Sequence, residues 1–306
     1  MVADKKVALI TGAASGMGKA LATDLVSKGW NVACVDINSE AGQAVAANLG
    51  NQAIFIKCRV DDYDEQAQAF TQTFEKWGRL DAACLNAGYV DRTSIFQLKA
   101  RNSDAADTLP PKPDLSCTDV CWKAVVYGTM LAVHFMRKNA TPGGQIVATS
   151  SAWGHYGCPT APEYSGAKAA VIEFCRAAAP VLKMRDNITI NAVLPGLVRT
   201  GVTLPAMLDS YTPEYITPIE NVLASYNRFL EDPSLNGQFL YCAGPAPDDI
   251  QFVPRPSRPT GDQSWIMELV CEPLFERVHG ERSGLPDAFS PEKPGLHVKD
   301  QAQQGQ

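Results

Sequence analysis

Apolar residues along the first two-thirds of this chain follow two alternating patterns. Short unbroken runs bounded by glycine or polar residues give way to longer stretches with apolar residues at helical spacing. Val7–Thr11 is the first such run, and Leu21, Leu25 and Val26 carry the helical stripe behind it. The same reading predicts strands at Asn31–Asp36, Ala53–Lys57, Leu80–Leu85, Gln145–Thr149, Ile188–Val193 and, last, Phe239–Cys242. Between them it predicts helices at Glu40–Leu49, Asp64–Trp77, a long stretch ending near Asn139, Tyr164–Leu182 and Ile219–Leu230. Continuous apolar strands alternating with helices indicate a parallel sheet covered on both faces. The expected class is α/β, a doubly wound parallel sheet of about seven strands with helices on both faces.

Two segments break this rhythm. Asp91–Asp114 is a long polar connection holding Pro110, Pro111 and Pro113. After Gly244 proline thickens, with nine of the chain's 21 in the last 62 residues. This divides the chain into a main body, residues 1–244, and a Pro-rich C-terminal extension, residues 245–306. Within the extension Trp265, Ile266, Leu269, Val270, Leu274 and Phe275 make an apolar helical stripe interrupted at Pro273, suited to packing on the body or on a partner. Gln301–Gln306 is expected to be disordered.

Composition narrows the function classes. A chain of 306 residues with 45% hydrophobic content can bury one large core. Its 27 Lys+Arg against 33 Asp+Glu give a net charge of −6 with no basic block, which argues against nucleic acid or an anionic membrane as main partner. No apolar run reaches the roughly 18 residues of a membrane span, and MVADKKVALI is too short and badly flanked for a signal peptide. The nine cysteines are scattered, odd in number and without a CxxC, so buried reduced thiols in a cytoplasmic protein are expected.

Candidate chemistry begins at the first strand. Thr11–Gly18, TGAASGMG, follows a strand and opens a helix, the context a dinucleotide site requires. Gly12 permits a tight turn, Gly16 lets the backbone approach a pyrophosphate, and Gly18 lets the helix sit close to the sheet. The helix N-terminus supplies N–H groups and partial positive charge to phosphates. Asp36 ends the second strand, where a carboxylate accepts from both adenosine ribose hydroxyls and repels a 2′-phosphate.

That glycine turn is followed by LNAG (Asn86, Ala87, Gly88), TSS (ending at Ser151), YSGAK (Tyr164 to Lys168) and PGLVRT (Pro195 to Thr200). In this order and at these separations the five strings resemble the short-chain dehydrogenase/reductase family, from about Val7 to about Cys242. The resemblance implies a Rossmann fold and hydride transfer between a nicotinamide cofactor and a carbon bearing an alcohol or ketone. It implies that Ser15 and Met17 line the cofactor with the glycines, that Asn86, Ala87 and Gly88 lie at the adenosine ribose, and that Pro195, Gly196, Val198 and Thr200 hold the carboxamide. NADP-using relatives tend to carry Arg or Lys just before the second glycine or just after the acidic residue. Here Ser15 and Ile37 stand there, so NAD is the expected cofactor. Many relatives have Asp-Val after the third strand, and this chain has Arg59-Val60. The backbone of Val60 can still serve; Arg59 either stacks on adenine, reaches a phosphate, or is solvated beside Asp61 and Asp62.

Tyr164 and Lys168 are four apart and so share one helix face. Ser151 lies 13 residues before Tyr164, the family's spacing, and its neighbour Ser150 is read as structural. A phenol with an ordinary pKa of about 10 is too weak an acid to act as a base at neutral pH, and a lysine ammonium and an oxidised nicotinamide both lower it. The resemblance therefore implies that Tyr164 exchanges the substrate proton, Ser151 holds the substrate oxygen, and Lys168 also holds the nicotinamide ribose. Relatives carry an Asn on the long preceding helix that links the lysine to solvent. Alignment on Pro110–Leu115 puts Cys121 there, a thiol being a weak donor and acceptor. Cys117 completes a CxxxC pair without further ligands, and no metal site is expected.

The segments Trp153–Pro162 and Gly201–Pro218 should cover the substrate, with Trp153, Tyr156, Met207 and Tyr211 as its contacts and Leu204, Leu208 and Tyr215 beside them. Such loops suit a bulky lipophilic molecule, and His155 reads as a solvated neighbour. SEAGQAVAANL and TPIENVLASYNRFLEDPSLNGQ resemble the 15-hydroxyprostaglandin dehydrogenase subgroup, whose Gln three residues before the tyrosine is Ala161 here. The proline-rich insert resembles fungal secondary-metabolism members, which implies a terpenoid, polyketide or steroid-like substrate. The family usually forms a homodimer, here through Trp122, Val125, Val126 and Met130 with Val171, Phe174 and Cys175. Two other readings stay open: a cofactor-binding sensor or scaffold without turnover, and a cyclase or isomerase that reuses the pocket.

Overall fold

The computed structural model describes residues 5–96, 109–200, 212–246, 249–254, 256 and 272–285. Their strands are β1 Val7–Thr11, β2 Asn31–Asp36, β3 Ala53–Lys57, β4 Ala82–Leu85, β5 Gly144–Thr149, β6 Ile188–Pro195, β7 Phe239–Cys242 and β8 Gln251–Phe252. They form one sheet in the order β3-β2-β1-β4-β5-β6-β7-β8. All neighbours are parallel except β7 and β8. The chain runs outward from β1 to β3 and then restarts at β4 on the other side of β1, so the strand order reverses between β1 and β4. A crevice opens at the carboxyl ends of the strands at such a point.

Side chains alternate across this sheet with the period of two that strands impose. Leu9 faces one core with Phe70, Met136 and Val171, while Ala8 and Ile10 face the other with Leu25, Val222 and Phe229. The first core is covered by α3 Tyr63–Trp77, α4 Ala124–Met136 and α6 Pro162–Asp186; the second by α1 Gly16–Ser27, α2 Ser39–Leu49 and α7 Ile219–Glu231. A short helix, α5 Ala152–Tyr156, follows β5. Among the described residues no helix is long and apolar enough to cross a membrane.

The sheet has eight strands where the apolar pattern predicts about seven, and it continues past Gly244. Strand β8 pairs Leu240 with Phe252 and Tyr241 with Gln251. Two exposed edge residues carry no alternation to read, although Val253 beside them is buried. The predicted long helix before β5 is not uniform either: a turn at Ser116–Thr118 and a π-helical turn at Asp119–Lys123 precede α4. Helix α6 extends beyond Tyr164–Leu182 at both ends, and Asn187, in the left-handed region at φ 52°, stops it.

Several side chains assigned to a dimer face turn inward instead. Val125, Val171 and Cys175 are buried in the first core, whereas Trp122 and Phe174 are half-buried and meet edge to face at 5.3 Å. Met130 is 59% exposed. Of the extension's apolar stripe, Trp265–Val270 lies outside the described residues, as does Gln301–Gln306. The helical residues 272–279 hold Pro273 in their first turn, where a missing N–H costs little. Glu272 accepts from the Ser283 N–H and hydroxyl, at 2.8 and 2.5 Å, and Arg185 Nε donates to the Ser283 carbonyl at 3.1 Å. Arg185 lies in the last turn of α6, about 30 Å along the helix from Tyr164 at 1.5 Å per residue. This part of the extension therefore docks far from the cleft.

Candidate active site

The glycine turn is built around backbone contact. A methyl on Gly18 would lie 2.2 Å from the Gly12 carbonyl oxygen, so α1 can begin this close to β1 only with glycine there. Gly12 takes the left-handed φ of 70° that the turn needs. Ser15 caps α1 without a side-chain hydrogen bond, and no acid stands in the first turn. The first N–H groups of a 12-residue helix thus have no side chain competing for them. Thr200, in the segment after β6, packs on the turn: a methyl on Gly16 would lie 2.9 Å from its side chain.

Asp36 ends β2 and ties this turn in place. Its two carboxylate oxygens accept from the Ala14 and Asn38 N–H groups, each at 2.9 Å. Ile37 beside it is exposed. Asn86 and Ala87 leave β4 across from the turn, and both backbone N–H groups donate to Thr11 Oγ1, at 2.9 and 3.1 Å. Asn86 Nδ2 donates to the Thr11 carbonyl, and Asn86 Oδ1 accepts from Thr149 Oγ1, which also meets the Tyr226 hydroxyl. The carboxyl ends of β1, β4 and β5 are thereby locked together by buried hydrogen bonds. Arg59 turns elsewhere: its exposed guanidinium pairs with Asp61 at 2.8 Å and holds that carboxyl below its ordinary value. The Val60 carbonyl accepts from Gln66 within the chain.

Ser151, Tyr164 and Lys168, the candidate reacting residues, meet beyond the end of β5. Ser151 is the N-cap of α5 and accepts from the Trp153 N–H at 3.2 Å. Ser150 donates instead to the Lys168 carbonyl at 2.7 Å, the structural role expected of it. Lys168 is 2% exposed, donates from Nζ to the Thr149 carbonyl at 2.7 Å, and lies 5.5 Å from the Tyr164 ring centre. Burial pushes this phenol above its ordinary value, Lys168 and Ser151 pull it down, and Cys121 and Cys117 add to the rise.

Asp91, which the motif reading passes over, positions this helix. Ala161 at the N-cap of α6 has no side-chain acceptor, and Pro162 follows it. Asp91 supplies the missing acceptor, taking the Glu163 and Tyr164 N–H groups at 2.9 and 2.7 Å. Glu163 in turn accepts the Thr118 N–H and hydroxyl, each at 2.8 Å, so α6 is fastened to the segment that carries Cys117 and Cys121. Asp91, Cys117 and Glu163 each bring one donor atom within 4.8 Å of the others. All three are already engaged in these hydrogen bonds, Cys117 with the Tyr89 carbonyl.

A cavity of about 270 Å³ runs from Met17 and Thr200 past Gly88, Pro195, Gly196 and Val198 to Ser151, Tyr164 and Lys168. Its outer end is aromatic. Trp153 stands edge to face with Tyr164 at 6.2 Å, and the exposed Tyr156 faces the same space as Tyr89, Tyr215 and Tyr241. Met207 and Tyr211, with Leu204 and Leu208, lie outside the described residues. Tyr89 and Tyr241 are missed by the motif reading because nothing local distinguishes them from core tyrosines. His155 is exposed.

The short chain dehydrogenase family model matches residues 6–209. The chain belongs to this family. As a short-chain dehydrogenase it is similar to short-chain dehydrogenase/reductase prx6 of Penicillium rubens, 44% identical over 94% of this chain and 98% of that protein. It is 30% identical to 15-hydroxyprostaglandin dehydrogenase [NAD(+)] of Homo sapiens, over 77% of this chain and 90% of that one. Among solved structures, a short-chain type dehydrogenase/reductase from Mycobacterium marinum superposes with a TM-score of 0.68 at 26% identity, over 78% of this chain and 94% of that one. The family consists of oxidoreductases that take nicotinamide cofactors, and the expected enzyme class and doubly wound fold hold for this chain.

Proposed function

We propose that this short-chain dehydrogenase uses NAD to interconvert a secondary alcohol and a ketone on a bulky lipophilic substrate. The observation that carries the reading is the convergence of Ser151, Tyr164 and Lys168 on one wall of a cavity that begins at the glycine turn. The uncapped N-terminus of α1 suits a pyrophosphate. Asp36 suits a ribose diol and opposes a 2′-phosphate, which favours NAD over NADP. Asn86, Ala87 and Gly88 would border the adenosine half, and Pro195, Gly196, Val198 and Thr200 the nicotinamide half, with the Val60 backbone at the adenine end and Arg59 beside it, paired with Asp61. When bound, the nicotinamide supplies or accepts the hydride.

The chain's own residues handle the proton. Ser151 holds the substrate oxygen next to the Tyr164 hydroxyl, which gives a proton to a ketone or takes one from an alcohol. Lys168, buried and fixed by the Thr149 carbonyl, keeps a positive charge beside the phenol and stabilises its anion. The aromatic outer end supports a large apolar substrate, with Trp153 and Tyr156 as contacts and Met207 and Tyr211 as further candidates. A terpenoid, polyketide or steroid-like secondary metabolite follows from the fungal-type insert. The eight described cysteines are all free, in keeping with a cytoplasmic enzyme, and a homodimer through Trp122, Phe174 and Met130 completes the reading. A panel of lipophilic alcohols and ketones, followed by absorbance of the reduced nicotinamide, tests it. Turnover of bulky secondary alcohols with NAD is expected, whereas tight NADH binding with no turnover across the panel would favour a sensor.

A further inference from the structure

Two thiols stand behind the reacting pair and take no part in the proton transfer just described. Cys117 and Cys121 are both 0% exposed, and the π-helical turn Asp119–Lys123 carries the second of them. Such turns give up regular hydrogen bonding and recur at functional sites. Both sulfurs lie against one acceptor, the Tyr89 carbonyl, at 3.0 and 3.3 Å. Cys121 also approaches the lysine. A methyl placed on Gly88 would sit 3.1 Å from Cys121 Sγ and 3.1 Å from Lys168 Nζ. Sulfur and ammonium therefore flank that glycine, which leaves the space between them open.

The charged and titratable groups around Cys121 come from three segments. Cys117 is on its own segment, Glu163, Tyr164 and Lys168 are on α6, and Tyr89 and Asp91 belong to the loop after β4. Lys168 is the cation of this set. It has two weakly acidic neighbours, a phenol and a thiol, and negative charge on one makes charge on the other harder to place. We propose that Cys121 is a positioning residue for Tyr164: its sulfur competes with the phenol for the Lys168 ammonium, and the charge on that sulfur sets the pH at which the phenol releases its proton. The inference rests on the proposed role of Tyr164 as proton carrier.

The direction of each effect is consistent with this arrangement. In the neutral pair both S–H groups donate to the Tyr89 carbonyl. When Cys121 ionises, the Cys117 S–H turns to its sulfur, and that bond together with Lys168 draws Cys121 below the ordinary thiol value against the cost of burial. Cys117 is pushed up in return. The other described buried thiols behave oppositely, with Cys34, Cys58, Cys84 and Cys175 pushed up to about 12 and Cys242 to about 11, chiefly by burial. With Cys158 and Cys271 replaced by serine, thiolate absorbance near neutral pH should report Cys121.

The experiment titrates thiolate absorbance between about pH 5 and 9 in that background, and in parallel the pH profile of alcohol oxidation. Cys121→Ser should lose the thiolate step, and its oxidation rate should rise about one pH unit earlier, with NAD affinity unchanged. Cys117→Ala should move the thiolate step upward and the rise in rate downward. If Cys121→Ser does not fold, Cys117→Ala carries both readouts. A thiolate step that persists in Cys121→Ser, or a rate profile unmoved in the variants that fold, overturns the proposal. Turnover retained in Tyr164→Phe would instead remove the proton carrier, and this inference with it, leaving the thiolate step in place.

Discussion

The Asp91 carboxylate and the Tyr164 backbone N–H, 73 residues apart in the chain, are joined by a 2.7 Å hydrogen bond. The helix that carries Tyr164 is thus capped by a residue from the loop after β4, because its own N-cap is an alanine. Removing a cap of this kind costs about 1 kcal/mol. Asp91→Ala should therefore lower the melting temperature modestly and reduce kcat, while Asp91→Asn, which keeps one acceptor, should restore most of both. Thermal melting and steady-state kinetics on the two variants check this. Equal loss in both would mean that the charge, not the hydrogen bond, is what α6 uses.

Tyr164→Phe should abolish turnover and leave NAD affinity nearly unchanged, since the phenol acts mainly in the transition state. Burial holds this phenol above its ordinary value in the free protein, so it is protonated at neutral pH. Ketone reduction, which needs the acid, should then be supported at neutral pH. Alcohol oxidation, which needs the anion, should climb as pH rises. Rate profiles in both directions test the sign, and an oxidation rate that falls from neutral to alkaline pH would contradict it.

Asp36 predicts at least a tenfold preference for NAD over NADP, because a 2′-phosphate set against this carboxylate should cost more than about 1.4 kcal/mol in like-charge repulsion. Asp36→Ala combined with Ile37→Arg should narrow or reverse it. Asp36 also holds the Ala14 and Asn38 N–H groups, so the alanine variant should lose some stability as well. Fluorescence titration with both cofactors, alongside melting, separates the two effects. Equal affinities in the unmodified protein would remove the claim.

The buried thiols make the fold sensitive to alkali. Cys34, Cys58, Cys84 and Cys175 titrate near 9.0 when unperturbed and are pushed up to about 12 in the folded chain. Between those limits the unfolded chain has released thiol protons that the folded chain still binds, so stability falls as pH rises. Each such thiol contributes about 1.4 kcal/mol per pH unit to that fall. Their contribution is fully present below pH 9.0. Melting temperature should accordingly drop steeply from pH 9 upward, and a flat profile from about pH 9 to 11 would count against burial as the cause.

Met130 is the exposed side chain among those of the proposed dimer face, so the dimer reading is tested there. Met130→Glu should shift a dimer toward the 33.0 kDa chain in sedimentation at micromolar concentration, with cofactor affinity unaffected. A single 33.0 kDa species before any substitution would end the dimer reading.

The strand–helix alternation and the five motif strings were legible because they reflect local demands. An unbroken apolar run marks a strand buried on both faces, and a glycine marks a place where backbone must touch backbone. Asp36 can be picked out at the end of a strand, whereas Ser151, Tyr164 and Lys168 stand out through the resemblance of their spacing to the short-chain dehydrogenase/reductase pattern. What the tertiary structure alone decided are contacts between ordinary residues far apart in sequence. Asp91 capping α6, Thr11 holding Asn86 and Ala87, Thr149 meeting Tyr226, and Gln66 reaching the Ala124 carbonyl leave no local pattern. Strand β8 was invisible because two exposed residues at a sheet edge need no periodicity. Likewise Val125, Val171 and Cys175 read as an outward stripe, yet they are buried. A helix on a doubly wound sheet must bury one face whether or not it has a partner, and only the packed fold fixes which face that is.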